Sequence, residues 1–156
     1  MSKDEELEKL TQQLQEQIME QARQVYTEKV IDLWLHPRNL GRLEQPDGYA
    51  KVTGSCGDTM EIFLKFQDDR ISECAFLTDG CGATLACGSV VSELSRNKTF
   101  NQALASISAE IILKELGGLP EENVHCAQLA SETLRRALAD YLYQKKSPWK
   151  KQYRKI

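Results

Sequence analysis

The chain has 156 residues, a length that fits one domain with a single core of ordinary size. Its 41% hydrophobic and 28% charged residues are typical of a soluble globular protein, and no apolar run approaches the roughly 20 residues that span a bilayer. The acidic N-terminus has neither the apolar stretch of a secretory signal nor the Arg/Ser bias of a transit peptide. We therefore expect a cytoplasmic protein with no membrane partner.

The net charge of −3 is unevenly distributed along the chain. Residues 1–20 sum to −4, whereas the segment KKSPWKKQYRKI at residues 145–156 carries six positive charges and no negative ones. A basic tail of this kind is either a solvated terminus or a contact for an acidic protein surface. No nucleic-acid-binding motif accompanies it, so we expect no nucleic-acid partner.

The first element in chain order is a helix predicted over residues 3–24. This segment has no Gly or Pro, and a narrow apolar stripe follows helical spacing along it: Leu7, Leu10, Leu14 and Ile18. The stripe would either lie on the core or form an arm that packs on another subunit, which leaves a homo-oligomer open. A second apolar set, in VYTEKVIDLWLHPRN, predicts a further helix that stops at Pro37 and Gly41.

Three strands follow the two helices, at residues 48–54, 60–66 and 71–78. In the third strand, strict alternation defines one face: Ile71, Glu73, Ala75 and Leu77. The remaining patterns predict helices over these segments: from GCGAT to about residue 96, then residues 99–104, 108–116 and roughly 122–145. This order predicts an α+β fold, in which a three-stranded antiparallel sheet packs against several helices and carries an N-terminal helical extension.

The five cysteines fall into two groups. Three of them lie at element boundaries, beside glycine or at a helix start: Cys56, Cys81 and Cys126. Such positions leave the backbone exposed, and a helix N-terminus favours the thiolate, the form that binds metal. The other two lie within elements and are interpreted as small packed residues: Cys74 and Cys87. Because no export signal is present, metal binding or thiol chemistry is favoured over disulfide bonds.

Three thiolates and one further donor would make a four-ligand tetrahedral set, which suits Zn²⁺ or an iron–sulfur cluster. Two neighbours qualify as the further donor, His125 beside Cys126 and Asp58 two residues after Cys56. The chain has no CxxC pair, so the spacing is not that of a zinc finger. A carboxylate is a hard and weak ligand for an iron–sulfur centre, so this set is typical of a site that releases its metal.

Longer stretches around these cysteines carry a resemblance: CGDTMEIFLKF, DGCGATLACGSVVSE and LPEENVHCAQLASETLRRALADY, preceded by YTEKVIDLWLHPRNLG. Together they resemble the IscU/NifU N-terminal-domain family of iron–sulfur cluster assembly scaffolds. The order CGD, GCG and HC suits that family, as do the gaps of 24 and 44 residues between the cysteines. The resemblance covers about residues 25–145, which leaves residues 1–24 as a helical extension and residues 146–156 as a basic C-terminal tail.

This resemblance implies a scaffold protein and not an enzyme. A transient [2Fe–2S] cluster would be built on it from iron and from sulfur supplied by a cysteine desulfurase, and then passed to apo iron–sulfur proteins. When the family's roles are carried over to the matching positions of this sequence, the cluster ligands are Cys56, Cys81 and Cys126. Asp58 is then the carboxylate that makes the cluster easier to release, and His125 is an alternative ligand. Cys126 and Cys81 are the candidate sulfur acceptors, and the cluster-free donors would also accept Zn²⁺.

The stretch before the last site cysteine departs from the family. In the family this stretch is usually LPPVK, which an Hsp70/J-protein chaperone pair recognises. Here residues 119–123 read LPEEN, so the resemblance implies these chaperone partners only through an altered binding motif. Two other interpretations stay open. One is a zinc-stabilised protein-interaction module without cluster transfer, and the other is a thiol enzyme in which His125 acts as the base for Cys126.

Overall fold

The computed structural model of the protein describes residues 2–147. Within them, a short 3-10 turn at Glu121–Asn123 precedes the last helix. The regular elements follow in this order: α1 Lys3–Val25, α2 Glu28–Leu35, β1 Gly48–Thr53, β2 Thr59–Gln67, β3 Arg70–Thr78, α3 Gly82–Ser95, α4 Phe100–Ser106, α5 Ala109–Leu116 and α6 Val124–Lys146. In the described part of the chain, no helix is both long and apolar enough to cross a membrane.

The sheet has three antiparallel strands in the order β1-β2-β3. Strands β2 and β3 are joined at Asp68 and Asp69, whose φ angles are 54° and 63°. Two successive residues with positive φ are typical of a type I′ hairpin turn, whose twist matches that of the strands. Helix α6 packs against β1 and β2, and α3 packs against β3, so the core lies between the sheet and these helices. The predicted α+β fold is confirmed.

Strand β3 contains a β-bulge that the sequence pattern did not reveal. Lys65 pairs with Glu73, but the next residue of β2, Phe66, pairs with Ile71, so Ser72 is the extra residue. The Ser72 hydroxyl donates a hydrogen bond to the Lys65 carbonyl oxygen, at 3.2 Å. Because one extra residue reverses the alternation, the prediction that Ile71 shares the face of Glu73 is wrong, and Ile71 is fully buried in the core.

Two contacts fix the long helices on the sheet. The rings of Phe66 and Tyr141 stack with their centroids 3.6 Å apart, which joins α6 to β2. A Cβ atom on Gly88 would lie 2.3 Å from the ring of Phe76, so the absence of a side chain lets α3 approach β3 closely. Helix α6 is preceded by the 3-10 turn and begins at Val124, two residues later than predicted.

Helix α1 extends away from the core. Ser2 and Glu5 form a capping box at its start, and none of its residues is buried. The predicted apolar stripe is present and exposed to solvent: Leu7, Leu10, Leu14 and Ile18. The division into residues 1–24, 25–145 and 146–156 stays a prediction, and the basic tail falls almost entirely outside the described residues.

Candidate metal centre

Three separate parts of the chain meet at one end of the sheet. Cys56 and Asp58 lie in the connection between β1 and β2, and Cys81 is the N-cap residue of α3. His125 and Cys126 lie in the first turn of α6. The packing of α3 and α6 against the sheet and against each other brings these residues together, although as many as 70 positions separate them along the chain.

A tight turn presents the first pair of residues. The Gly57 amide donates to the Gly54 carbonyl oxygen at 3.0 Å, and the Gly54 amide donates to the Asp58 carbonyl oxygen at 2.8 Å. Gly57 has a φ of 90°, a conformation that side chains rarely allow. Cys56 is therefore exposed at the tip of the turn, while Asp58 is half-buried at its base.

The predicted ligands form two groups that share one carboxylate. One group consists of Cys56, Asp58 and His125, and the other of Asp58, Cys81 and Cys126. Within each group the ligand atoms lie no more than 4.8 Å apart, close enough to hold a metal with small adjustments. In the described part of the chain, Cys56 does not join the other two sulfurs at this spacing, so Asp58 is the link between the two halves of the site.

A threonine that the sequence analysis did not single out lies at the centre of the second group. The Thr84 hydroxyl is 3.2 Å from Asp58 Oδ2, 3.3 Å from Cys126 Sγ and 3.6 Å from Cys81 Sγ, and Thr84 is fully buried. The sequence feature that could have identified Thr84 is its position three residues after Cys81 at a helix start, because this spacing places the two side chains on neighbouring parts of one turn.

Gly80 has no room for a side chain, which allows Thr84 and Asp58 to lie close together beside it. A Cβ atom on Gly80 would lie 2.7 Å from Thr84 Oγ1 and 2.9 Å from Asp58 Oδ2. The Asp79 side chain next to it accepts a hydrogen bond from the Thr59 amide at 2.7 Å, which fastens this segment to the start of β2. The connection between β3 and α3 is thus fixed beside the β1–β2 turn.

The two cysteines around Thr84 differ in exposure and in acidity. Burial alone would raise the pKa of Cys81, but the Thr84 hydroxyl and the amide groups of Thr84 and Ala83 favour its thiolate, so the pKa lies below its ordinary value. Cys126 is fully buried, and burial is the main reason that its pKa is raised to about 11. Its sulfur also lies 3.6 Å from His125 Nε2.

The remaining two cysteines are core residues, as predicted. Cys74 on β3 is 3% exposed and Cys87 on α3 is 0% exposed, and both belong to the main hydrophobic cluster. Burial raises the pKa of Cys74 to about 12 and also raises that of Cys87. Neither thiol therefore joins the predicted ligand set.

Two aromatic residues, Tyr26 just before α2 and Trp34 within it, lie beside the site. The ring of Trp34 packs on Gly82, where a Cβ atom would lie 2.3 Å from the ring. Tyr26 meets Trp34 edge-on and donates a hydrogen bond to Asn123 Oδ1 at 3.2 Å. The segment at α2 thereby contacts the N-terminal ends of both α3 and α6.

Comparison with known proteins gives the family. The profile of the NifU-like N terminal domain matches residues 25–148, most of the chain. The chain belongs to this family. The resemblance that the cysteine motifs carry is confirmed, and the match begins where the predicted helical extension ends.

The NifU-like chain has curated relatives that are named as iron–sulfur cluster assembly scaffold proteins. The iron-sulfur cluster assembly scaffold protein IscU 1 of Archaeoglobus fulgidus is 42% identical over 118 residues, which cover 75% of this chain and 76% of that protein. The scaffold protein IscU of Escherichia coli is 39% identical over 121 residues, which cover 74% of this chain and 93% of that protein.

Solved structures share the fold of this NifU-like domain. A putative iron-sulfur cluster assembly scaffold protein for the SUF system from Fervidobacterium islandicum has a TM-score of 0.61 at 25% identity, covering 75% of this chain and 98% of that one. The N-terminal part of a NifU-like protein from Brucella abortus has a TM-score of 0.60 at 19% identity, covering 77% and 96% of the two chains. The second likeness is one of fold alone.

Proposed function

We propose that this NifU-like protein is a scaffold on which a [2Fe–2S] cluster is assembled from iron and delivered sulfur, and from which the cluster passes to apo-proteins. The observation that carries the proposal is the pair of donor groups that share Asp58, because together they offer three sulfurs, one carboxylate and one imidazole. The family and its curated IscU relatives support the same role.

The donor set suits a cargo that is bound and then released. Iron–sulfur clusters are held by thiolates, and three of them are offered by Cys56, Cys81 and Cys126. Asp58 or His125 would supply the remaining ligand, and oxygen is the weaker donor for such a centre. An exposed Cys56 on a glycine-rich turn keeps one side of the site accessible to partners. The same donors would also hold Zn²⁺ when no cluster is bound.

Sulfur would reach the site as a persulfide made by a cysteine desulfurase. The candidate acceptors differ in this conformation, because Cys81 is exposed with a lowered pKa whereas Cys126 is buried with a raised one. Transfer to Cys81 is therefore open in the present arrangement. Transfer to Cys126 would require the first turn of α6 to move away from Thr84.

Other partners follow from the surface. An Hsp70/J-protein pair that recognises the stretch before α6 would meet Glu121 and Glu122, both exposed, so the altered motif would bind such a pair through different contacts. The exposed apolar stripe of α1 is available to a second copy of the chain, which favours a homo-oligomer over a helix that lies on the core.

The test is anaerobic reconstitution with iron, cysteine and a cysteine desulfurase, followed by visible absorption and by transfer to an apo-ferredoxin. We expect the wild type to form a [2Fe–2S] spectrum and to lose it to the acceptor. Asp58→Ala should form the same cluster and keep it several-fold longer, because a weak oxygen ligand no longer assists release. Asp32→Ala is the matched control, since this carboxylate is half-exposed, makes only a long ion pair with Arg38 at 3.9 Å, and is not a member of the predicted ligand set.

The same experiment separates the scaffold from a zinc-stabilised interaction module. A module of that kind would form no cluster, would retain zinc tightly, and would unfold when a chelator removes the metal. Asp58→Ala would then lower the melting temperature of the zinc-loaded protein. That combination of results would replace the proposed function with the zinc module.

A further inference from the structure

The hydroxyl of Thr84 has no role in the function proposed so far. We propose that Thr84 is a positioning residue that shares one hydroxyl proton between Asp58 and Cys126, so that metal binding at Cys126 releases Asp58. This inference rests on the proposed ligand set. It adds a fourth side chain to the group of Asp58, Cys81 and Cys126, one that acts on the ligands without being a ligand itself.

In the described part of the chain, the hydrogen-bond partners of the Thr84 hydroxyl are all predicted ligands. Its hydroxyl oxygen lies 3.2 Å from Asp58 Oδ2 and 3.3 Å from Cys126 Sγ, and it is 3.6 Å from Cys81 Sγ. Thr84 is 0% exposed, so this hydroxyl meets these three groups in place of solvent. A buried hydroxyl surrounded by ligand atoms is well placed to orient them, as the outer hydrogen-bond partners of metal ligands do.

The number of protons limits what this hydroxyl can do. A hydroxyl donates one hydrogen bond and accepts two, whereas an ionised carboxylate and a thiolate only accept. Thr84 can therefore donate to Asp58 or to the thiolate of Cys126, but not to both at once. While it donates to Asp58, the protonated Cys126 can donate its S–H to the Thr84 oxygen.

Metal binding changes this pattern. When Cys126 binds a metal ion, its proton leaves to solvent and its sulfur becomes an acceptor. The Thr84 hydroxyl then turns towards the sulfur, so that one hydrogen bond breaks and another forms, with no oxidation or reduction. Asp58 loses its buried donor at this moment and is free to turn towards the metal.

The surrounding structure keeps the hydroxyl in place during this exchange. Thr84 is β-branched and lies in the first turn of α3, where its side chain has few rotamers. The backbone of Gly80 closes the opposite side, since even a methyl group there would lie 2.8 Å from Thr84 Cβ. Only the hydroxyl hydrogen needs to rotate.

The test uses Co²⁺ as the probe, because thiolate ligation gives a sulfur-to-cobalt charge-transfer absorption. Thr84→Val keeps the shape of the side chain and removes the hydroxyl, and Thr84→Ser keeps the hydroxyl and removes a methyl group. We expect Thr84→Val to lower the Co²⁺ affinity about tenfold and to move the absorption to lower energy, as losing an outer hydrogen bond would. The Co²⁺ affinity of Thr84→Ser should stay within about threefold of that of the wild type. Melting temperatures of the metal-free proteins separate binding from folding.

A double-mutant cycle tests the coupling to the carboxylate. In an Asp58→Ala background, Thr84→Val should lower the Co²⁺ affinity more than it does with Asp58 present, about thirtyfold, because no hydrogen bond to Asp58 in the metal-free protein offsets the lost bond to the sulfur. Equal losses in both backgrounds, or a Thr84→Ser variant as weak as Thr84→Val, would overturn the proposal. If the wild type itself shows no sulfur-to-cobalt absorption, the ligand set and the proposed function fail together. Normal wild-type binding with unaffected Thr84 variants refutes only the role of Thr84.

Discussion

Gly80 provides a direct test of the packing between Asp58 and Thr84. In Gly80→Ala the new Cβ atom would lie 2.9 Å from Asp58 Oδ2 and 2.7 Å from Thr84 Oγ1. Both distances are shorter than ordinary carbon–oxygen contacts, so the carboxylate, the hydroxyl or the backbone must move by several tenths of an ångström. The backbone of Gly80 is not left-handed, so the substitution adds a methyl group without adding conformational strain.

The size of the effect follows from two opposing contributions. Inserting a methyl group into a filled site costs roughly 1–3 kcal/mol, and replacing glycine by alanine returns about 0.4–1 kcal/mol by restricting the unfolded chain. The net loss is therefore about 1–2 kcal/mol, which lowers the melting temperature of a protein of this size by roughly 2–8 °C. The Co²⁺ affinity should fall about tenfold as well, because the new methyl group displaces the predicted ligand Asp58 and moves the Thr84 hydroxyl from its place beside the Cys126 sulfur.

Thermal unfolding of the metal-free protein and an anaerobic Co²⁺ titration measure the two effects. Gly54→Ala is the matched control, since this glycine lies in the β1–β2 turn but its new Cβ atom would meet Leu129 Cδ1 at an ordinary 3.5 Å. If Gly80→Ala and Gly54→Ala bind Co²⁺ equally well and melt at the same temperature, the close packing of Asp58 against Thr84 does not matter to the site.

Two further predictions concern the thiols and helix α1. Between pH 7 and pH 10, the alkylation rate of Cys126 should be low and should rise with pH, because its raised pKa of about 11 keeps the thiol protonated. Cys81 should be alkylated faster, and its rate should level off at a lower pH, because its pKa is lowered. Mass spectrometry of the labelled peptides measures this order, and equal rates would contradict it. Deleting residues 2–24 should leave the melting temperature within about 2 °C of that of the full chain, since no residue of α1 is fully buried, and a larger drop on thermal unfolding would contradict that reasoning.

Much of this site follows from local sequence. Cys56, Cys81 and Cys126 lie at element boundaries that glycines and helix starts mark in the sequence, and all three reach the same end of the sheet. Cys74 and Cys87 lie inside periodic elements and are buried, as predicted. Turns and amphipathic periods depend on neighbouring residues, so a single sequence contains enough information to predict them.

The tertiary structure alone decided the features that depend on distant residues. The bulge at Ser72 reverses the face of Ile71, and it arises from the register between two strands, which alternation within one strand does not encode. Thr84 meets Asp58 across 26 positions and Cys126 across 42, so its contacts exist only after α3 and α6 have packed on the sheet. Residue types and their positions at element boundaries thus determined which candidate ligands the sequence predicts, while packing determined which side chain lies between them.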